Sequence, residues 1–214
     1  MAHNFGSLVF TPAVKRLQER YGSKTAYERR AAAGTVADRL SEREIDFLAE
    51  RDSFYMATVG STGWPYVQHR GGPTGFLKAI DPQTLAFGDY NGNKQYVSTG
   101  NLLTDDRVAL IMVDYPRQAR LKILGKTKII DREHAGDWIP KLESADDNTV
   151  IERVYVIHVE AFDWNCPKYI TPRFTAEEIR SVLEPFEERM LSLETENERL
   201  RRELAQKSSP ETER

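Results

Sequence analysis

The four residues Asn91-Gly92-Asn93-Lys94 are amide-rich and glycine-containing, end in a cation, and precede a segment of helix-like pattern. Backbone N–H groups at such a turn, a helix N-terminus behind them and a nearby lysine together suit a phosphate group. The same composition suits a plain surface turn, where Asn-Gly supplies backbone geometry and lysine solubility. On the loop alone both readings stand. The loop closes a longer stretch, from Gly63 to Lys94, that concentrates the residues able to do chemistry. Tyr66–Arg70 and Phe76–Ile80 have strand-like pattern and flank a glycine- and proline-rich corner; Thr84–Gly88 follows a turn at Asp81-Pro82-Gln83 and runs into the loop.

His69, inside Q-H-R-G-G-P, is the histidine beside this stretch and a candidate proton donor or ligand contact. Adjacent strand residues point to opposite faces, so His69 and Arg70 do not share a ligand unless the corner breaks the alternation. The other three histidines read as structural or peripheral: His3 in the N-terminal segment, His134 at a helix start, His158 alternating with Val154 and Val156 in a strand. Cys166 is the single cysteine, which excludes an internal disulfide and any multi-cysteine metal site, and it reads as a small buried hydrophobe. No metal-ligand cluster and no serine or cysteine nucleophile with its base is legible, so hydrolase chemistry has no positive support.

The elements that must position these residues follow from periodicity. Thr11-Pro12 opens a short amphipathic helix carrying Val14, Leu17 and Tyr21, and a capping box, Ser41-Glu42-Arg43-Glu44, opens another that covers one end of the strands. From Ser53 the period changes to two. Strand segments recur at 53–59, 66–70, 76–80, 84–88, 108–114, 120–130 and 150–162, and such spacing argues for an antiparallel barrel or sandwich. Helical interruptions are expected at 95–103 and 134–142, and an exposed acidic loop at 144–148.

After Pro172 glycine vanishes and Glu, Arg and Leu dominate. Phe186, Met190, Leu193, Asn197, Leu200 and Leu204 are spaced alternately by four and three, a heptad seam. Asn197 at an a position, with leucines at d, favours a parallel two-stranded coil; a single amphipathic helix lying on the barrel is the alternative. Pro185 is expected to start or kink this helix. The expected organisation is therefore an N-terminal helical extension (1–40), a barrel domain (41–172), a heptad helix (173–207) and a disordered tail (208–214).

With 214 residues, 40% of them hydrophobic, the chain can bury one medium core and carry extensions. A net charge of -3 provides no basic field for nucleic acid or an anionic membrane. The N-terminal residues lack a basic region followed by an apolar stretch, and a reducing, cytoplasmic setting is expected.

The order G-W-P-Y, Arg70, F-L-K, L-A-F-G-D-Y-N-G-N-K, D-D-R-V-A-L-I-M and R-L-K-I-L-G-K-T resembles the pyridoxamine 5'-phosphate oxidase-like family of FMN-binding split barrels, over roughly Phe47 to Tyr169. The resemblance implies a mainly β fold with flanking helices, a six-stranded antiparallel split β-barrel, a homodimer, and FMN at the subunit interface. It places a flavin-binding Arg at Arg70, with Gln68 as the competing alignment. It matches Lys94 to a phosphate-binding Lys, with Asn91, Gly92 and Asn93 as donors, although Asn93 stands where the family has an Arg. Arg120 falls where the family often has a Gln at the isoalloxazine edge. W-N-C-P-K-Y-I resembles an ending found in uncharacterised family members, which suggests Trp164 as an aromatic wall and Lys168 as a cation over the other subunit's cofactor. The reaction implied is a two-electron (hydride) oxidoreduction of a small organic substrate at flavin N5. The Arg- and His-rich C-terminal substrate motif of true pyridoxamine 5'-phosphate oxidases is replaced by the heptad helix. A non-catalytic flavin carrier or redox sensor, a related barrel binding F420 or haem, and a structural dimer with an empty cleft are the rival readings.

Overall fold

The computed structural model describes residues 5–32, 38–143, 150–164 and 167–207. His3, the acidic loop at 144–148, the Asn165-Cys166 turn and the 208–214 tail lie outside the described residues. The chain divides into two compact units, Met1–Ile170 and Thr171–Arg214.

The first unit opens with three helices, α1 (Phe5–Val9), α2 (Pro12–Arg20) and α3 (Lys24–Ala32). Thr11 caps α2, its Oγ1 accepting the Val14 N–H at 3.4 Å, and Pro12 sits where a missing N–H leaves nothing unpaired. Helix α4 (Glu42–Ala49) follows the capping box: the backbone N–H and the hydroxyl of Ser41 both donate to the Glu44 carboxylate, at 3.0 and 2.5 Å. Phe47 and Leu48 on α4 are buried in the core.

Seven strands, β1 (Ser53–Val59), β2 (Pro65–Gly71), β3 (Lys78–Asp81), β4 (Thr84–Tyr90), β5 (Arg107–Asp114), β6 (Ala119–Asp131) and β7 (Ile151–Trp164), form one antiparallel sheet in the order β2-β1-β5-β6-β7-β4-β3. Every segment of period two becomes a strand. The count is thus seven where the family resemblance implies six, because the short β3 pairs with β4 as a separate strand.

The sheet curls onto itself. Phe54 on β1 meets Phe87 on β4 edge-on at 5.2 Å although three strands separate β1 from β4 in the sheet order. Curling buries one face of all the long strands around Phe54, Met56, Leu110, Met112, Ile123 and Tyr155. Strand β4 is buried over Leu85–Asp89 on both faces, since a smaller cluster of Ala86, Ala135, Leu142, Ile151 and Val154 covers its outer side.

Both helical interruptions are shorter than their sequence pattern. Helix α5 covers only Val97–Leu102, because Tyr96 before it adopts a left-handed φ of 53° that no helix can include. A 3-10 turn at Arg132–His134 is separated from α6 (Trp138–Leu142) by Gly136 at φ 42°.

The second unit contains α7 (Ala176–Lys207), which runs through Pro185. Pro185 does not start the helix, which begins nine residues earlier. Thr175 sets that start: its Oγ1 accepts the Glu178 N–H at 3.1 Å, and its own N–H donates to the Glu178 carboxylate at 2.7 Å. The missing Pro185 N–H removes one hydrogen bond, which the rest of a 32-residue helix outweighs. No helix among the described residues is long and apolar enough to cross a membrane.

Candidate functional site

Register decides which side chains of β2 face inward. Phe54 pairs with Arg70 and Met56 with Gln68, so Arg70 and Gln68 share the face of two core residues. On β4, Asp89 lies in phase with Phe87; on β7, Arg153 lies in phase with Tyr155. Curling brings these three strands together at one end of the barrel. There a cleft of about 240 Å³ is lined by residues 68–71, 87–90, 92–94, 98–99 and 152–153, together with Phe76 and Tyr96.

The floor of the cleft is an ionic network. The Asp89 carboxylate is ion-paired to the Arg70 guanidinium through one oxygen and to Arg153 Nη1 at 2.7 Å through the other. Both arginines and the aspartate are largely buried, with side chains 10–14% exposed. Removing such charges from water costs several kcal/mol per ion, so the arrangement holds only because each charge meets its opposite. Arg70 Nη2 also reaches the Tyr155 hydroxyl at 3.4 Å, and that hydroxyl shares a 2.7 Å hydrogen bond with Thr99 Oγ1. Burial, followed by the charge of Asp89, pushes the Tyr155 hydroxyl above the ordinary phenol range, so it stays protonated at neutral pH. The Arg70 guanidinium lies 5.8 Å from the Phe87 ring centre and 5.2 Å from that of Tyr155, and Arg153 lies 4.8 Å from the Tyr96 ring. Arg70 Nε is buried and has no hydrogen-bond acceptor among the described residues.

The rim is made by the loop after β4. Lys94 and Tyr96 both have left-handed φ, 57° and 53°, a conformation that is uncommon outside glycine and that clusters at ligand clamps. Asn93 Oδ1 accepts the Gln95 N–H at 3.2 Å and braces this backbone. Lys94 is exposed and has no ion-pair partner among the described residues. Helix α5, with six residues, has less than two turns and adds little dipole, so the loop and its lysine carry most of the positive character at the rim. Ser98 is buried and its hydroxyl donates to Gln68 Oε1 at 2.8 Å, tying the helix to β2. A cleft lined by a cation, amides, hydroxyls and aromatic rings suits a ligand that joins an anionic group to a flat ring.

Residues 40–162, more than half the chain, match the family model described as pyridoxamine 5'-phosphate oxidase. The chain belongs to the pyridoxamine 5'-phosphate oxidase family. No curated protein matches it significantly. Among solved structures, a candidate pyridoxamine 5'-phosphate oxidase from Lactobacillus delbrueckii is 21% identical, with 60% of this chain and 97% of that one covered and a TM-score of 0.47. HupZ from group A Streptococcus is 18% identical, over 63% of this chain and all of its own, at 0.45. An FMN-binding protein from Syntrophomonas wolfei is 12% identical, over 58% and 90%, at 0.42.

Of the residues that the sequence singles out, the cleft unites Gln68, His69, Arg70, Gly92, Asn93 and Lys94. The competing alignments Gln68 and Arg70 both reach it, being two apart on one strand. His69 points to the outer face, edge-on to Tyr55 at 5.5 Å, although it is also among the residues that line the cleft. Asn91 is exposed and precedes the lining residues of the loop. Arg120, Trp164 and Lys168 do not line the cleft of their own chain. Arg120 is half-buried on β6 opposite Val113. Trp164 fastens α4 to the barrel: its Nε1 donates to Glu44 Oε1 at 2.6 Å, Phe47 packs edge-on at 4.8 Å, and the Arg43 guanidinium lies 4.5 Å from its ring centre. Lys168 is exposed, its Nζ 5.0 Å from the ring centre of Tyr169.

Sequence reasoning missed Asp89, Arg153, Tyr155 and Thr99. The available signal was phase: Asp89 continues the inward face of Leu85 and Phe87, and Arg153 that of Tyr155 and Ile157, so each is a charge on an apolar face. Among the described residues no group of three or more His, Cys, Asp and Glu is placed to hold a metal ion.

Proposed function

We propose that this protein is a homodimeric FMN-binding flavoprotein that carries out a two-electron oxidoreduction of a small organic substrate. The observation that carries this reading is the convergence of Gln68 and Arg70 with the Gly92–Lys94 loop on one cleft, in a chain of the pyridoxamine 5'-phosphate oxidase family. Lys94, Asn93 and the backbone of Gly92 would hold the phosphate. Gln68, Ser98 and the open Nε of Arg70 supply polar contacts for a ring edge, beside the aromatic side chains of Phe87 and Tyr96. Where Asn93 leaves the loop one cation short of the family pattern, Arg153 brings a second guanidinium to the same cleft from β7. FMN, when bound, supplies hydride chemistry at N5. The protein's part is to orient the ring and set the charge around it.

Two features support a site completed by a second copy. At about 240 Å³ the cleft of one chain is smaller than the roughly 300–1,000 Å³ of ordinary ligand pockets. Beside its lip, the outer face of β1 and β2 exposes Tyr55, Val59 and Val67 at 43%, 39% and 59%, with Trp64 at 78% on the turn between them. A contiguous apolar face of this kind marks an interaction surface. In such a dimer Trp164, Lys168 and Arg120 are to be judged against the partner's cleft, and cytoplasmic residence remains part of the same proposal.

The test is the visible spectrum of the purified protein, with chromatography of whatever heat releases. FMN at near one per chain is expected. A deazaflavin or haem spectrum would replace the ligand and keep the cleft; a colourless protein that takes up no added FMN would overturn the reading.

A further inference from the structure

We infer that α7 is a parallel, in-register coiled-coil dimerisation element that pairs with α7 of a second copy of this chain. Because the helix starts at Ala176, the seam extends upstream of Pro185: Ile179, Leu183, Phe186, Met190, Leu193, Asn197, Leu200 and Leu204 alternate d and a without interruption. That is more than the roughly three heptads that sustained coils need. Seven of these eight are apolar, and all seven are exposed by 45–67% within the chain. Pro185 falls at c, outside the seam, so its ring and missing N–H do not intrude on knob-into-hole packing.

Within the helix Arg202 at f pairs with Glu198 at b, and Arg199 at c pairs with the g residues Glu203 at 2.8 Å and Glu196 at 3.4 Å. Among the described residues Arg189, Glu194 and Arg201, which flank the seam at g and e, have no ion pair within the chain. In a parallel pair, g faces the e position five residues later on the other helix. Arg189 then meets Glu194 and Glu196 meets Arg201, both attractive, with no like-charge g–e contact from Val182 to Glu203. Asn197 is the one polar residue in the seam, and its amide finds a partner only opposite another Asn197, which selects the parallel register. The occupant is therefore a second copy and not a foreign helix.

The test uses the full chain with Cys166→Ser, so that no native thiol competes. Leu193→Cys and Leu200→Cys, each at d, are separately introduced, with Thr195→Cys at the outward f position as control. Under mild oxidation both d variants are expected to give a covalent dimer on a non-reducing gel while the f variant stays monomeric. An antiparallel pair brings at most one of the two d positions against itself. Failure of either d variant to cross-link, or equal cross-linking of Thr195→Cys, overturns the inference. A second readout leaves the seam intact: Glu194→Arg should lower the melting temperature of the helical signal at fixed chain concentration, and adding Arg189→Glu should restore it. A melting curve unmoved by the single reversal counts against the pairing.

Discussion

The Arg70 guanidinium and the Asp89 carboxylate are ion-paired across the mouth of the barrel. Arg70 belongs to β2, one end of the sheet order, and Asp89 to β4, next to the other end. Their pairing closes the split that the open sheet leaves. Asp89 also holds Arg153, so a single carboxylate organises two cations at the cleft floor.

Asp89→Ala should therefore destabilise more than Arg70→Ala. The first leaves buried Arg70 with no carboxylate among the described residues and Arg153 with only Glu152 at 3.5 Å and Asp131 at 4.0 Å, with an expected loss of about 3–5 kcal/mol. The second leaves Asp89 paired with Arg153, with a loss of about 1–3 kcal/mol. Urea unfolding of the two variants measures the difference, and equal losses would refute the shared-carboxylate account.

Lys94 is exposed at the rim, so Lys94→Ala should leave stability unchanged. It should weaken FMN binding by about 1.5–3 kcal/mol, the worth of a charge-assisted hydrogen bond. Asn93→Arg should tighten it. Quenching of flavin fluorescence during titration reads both; unchanged affinity in Lys94→Ala would remove the loop from the site.

Acid should loosen α4. Burial opposes ionisation of Glu44, but hydrogen bonds from Ser41 and Trp164 outweigh it and hold the carboxyl below its usual range. A carboxylate with a lowered folded pKa contributes stability that is complete above the unfolded value, about 4.3, and is lost as pH falls through the folded one. Glu44→Gln should be less stable than wild type at neutral pH, and the gap should shrink below about pH 4. Unfolding free energies compared at the two pH values test this; a gap independent of pH would contradict it.

Gly125 lies at the register shift between β6 and β7, where an added Cβ would come within 2.6 Å of the His158 carbonyl oxygen and 2.7 Å of Ile157 Cγ2. Gly125→Ala must therefore move backbone, at an expected cost of about 1–3 kcal/mol. A thermal midpoint equal to wild type would show that the bulge absorbs the methyl group.

Every buried residue of the described chain lies between Leu40 and Ile170. Ending the chain after Thr175 should accordingly preserve cooperative unfolding of the sheet while the helical circular dichroism drops. Loss of cooperative unfolding would show that the barrel needs the second unit.

Much of this was legible locally. The Ser41-x-x-Glu44 box, the Thr11-Pro12 start and seven stretches of period two read directly as elements, since capping and alternation depend on residues within one or two turns of one another. Lys94 and the amides beside it were legible as donors by type. Pro185 does not start the helix, because the Thr175–Glu178 cap sets that start nine residues earlier. Trp164 read as a possible cofactor wall; in its own chain it is a clamp, which depends on α4 lying across the end of β7.

The sequence by itself determined the strands, the caps, the heptad phase and which residue types could meet an anionic, aromatic ligand, because these follow from backbone geometry and the partition of side chains between water and core. Only the tertiary structure decided that Arg70, Asp89, Arg153 and Tyr155 meet, that His69 faces outward, and that the sheet has seven strands. Those outcomes depend on how far a twisted sheet curls before its edges approach, a property summed over all its strands and carried by no single segment.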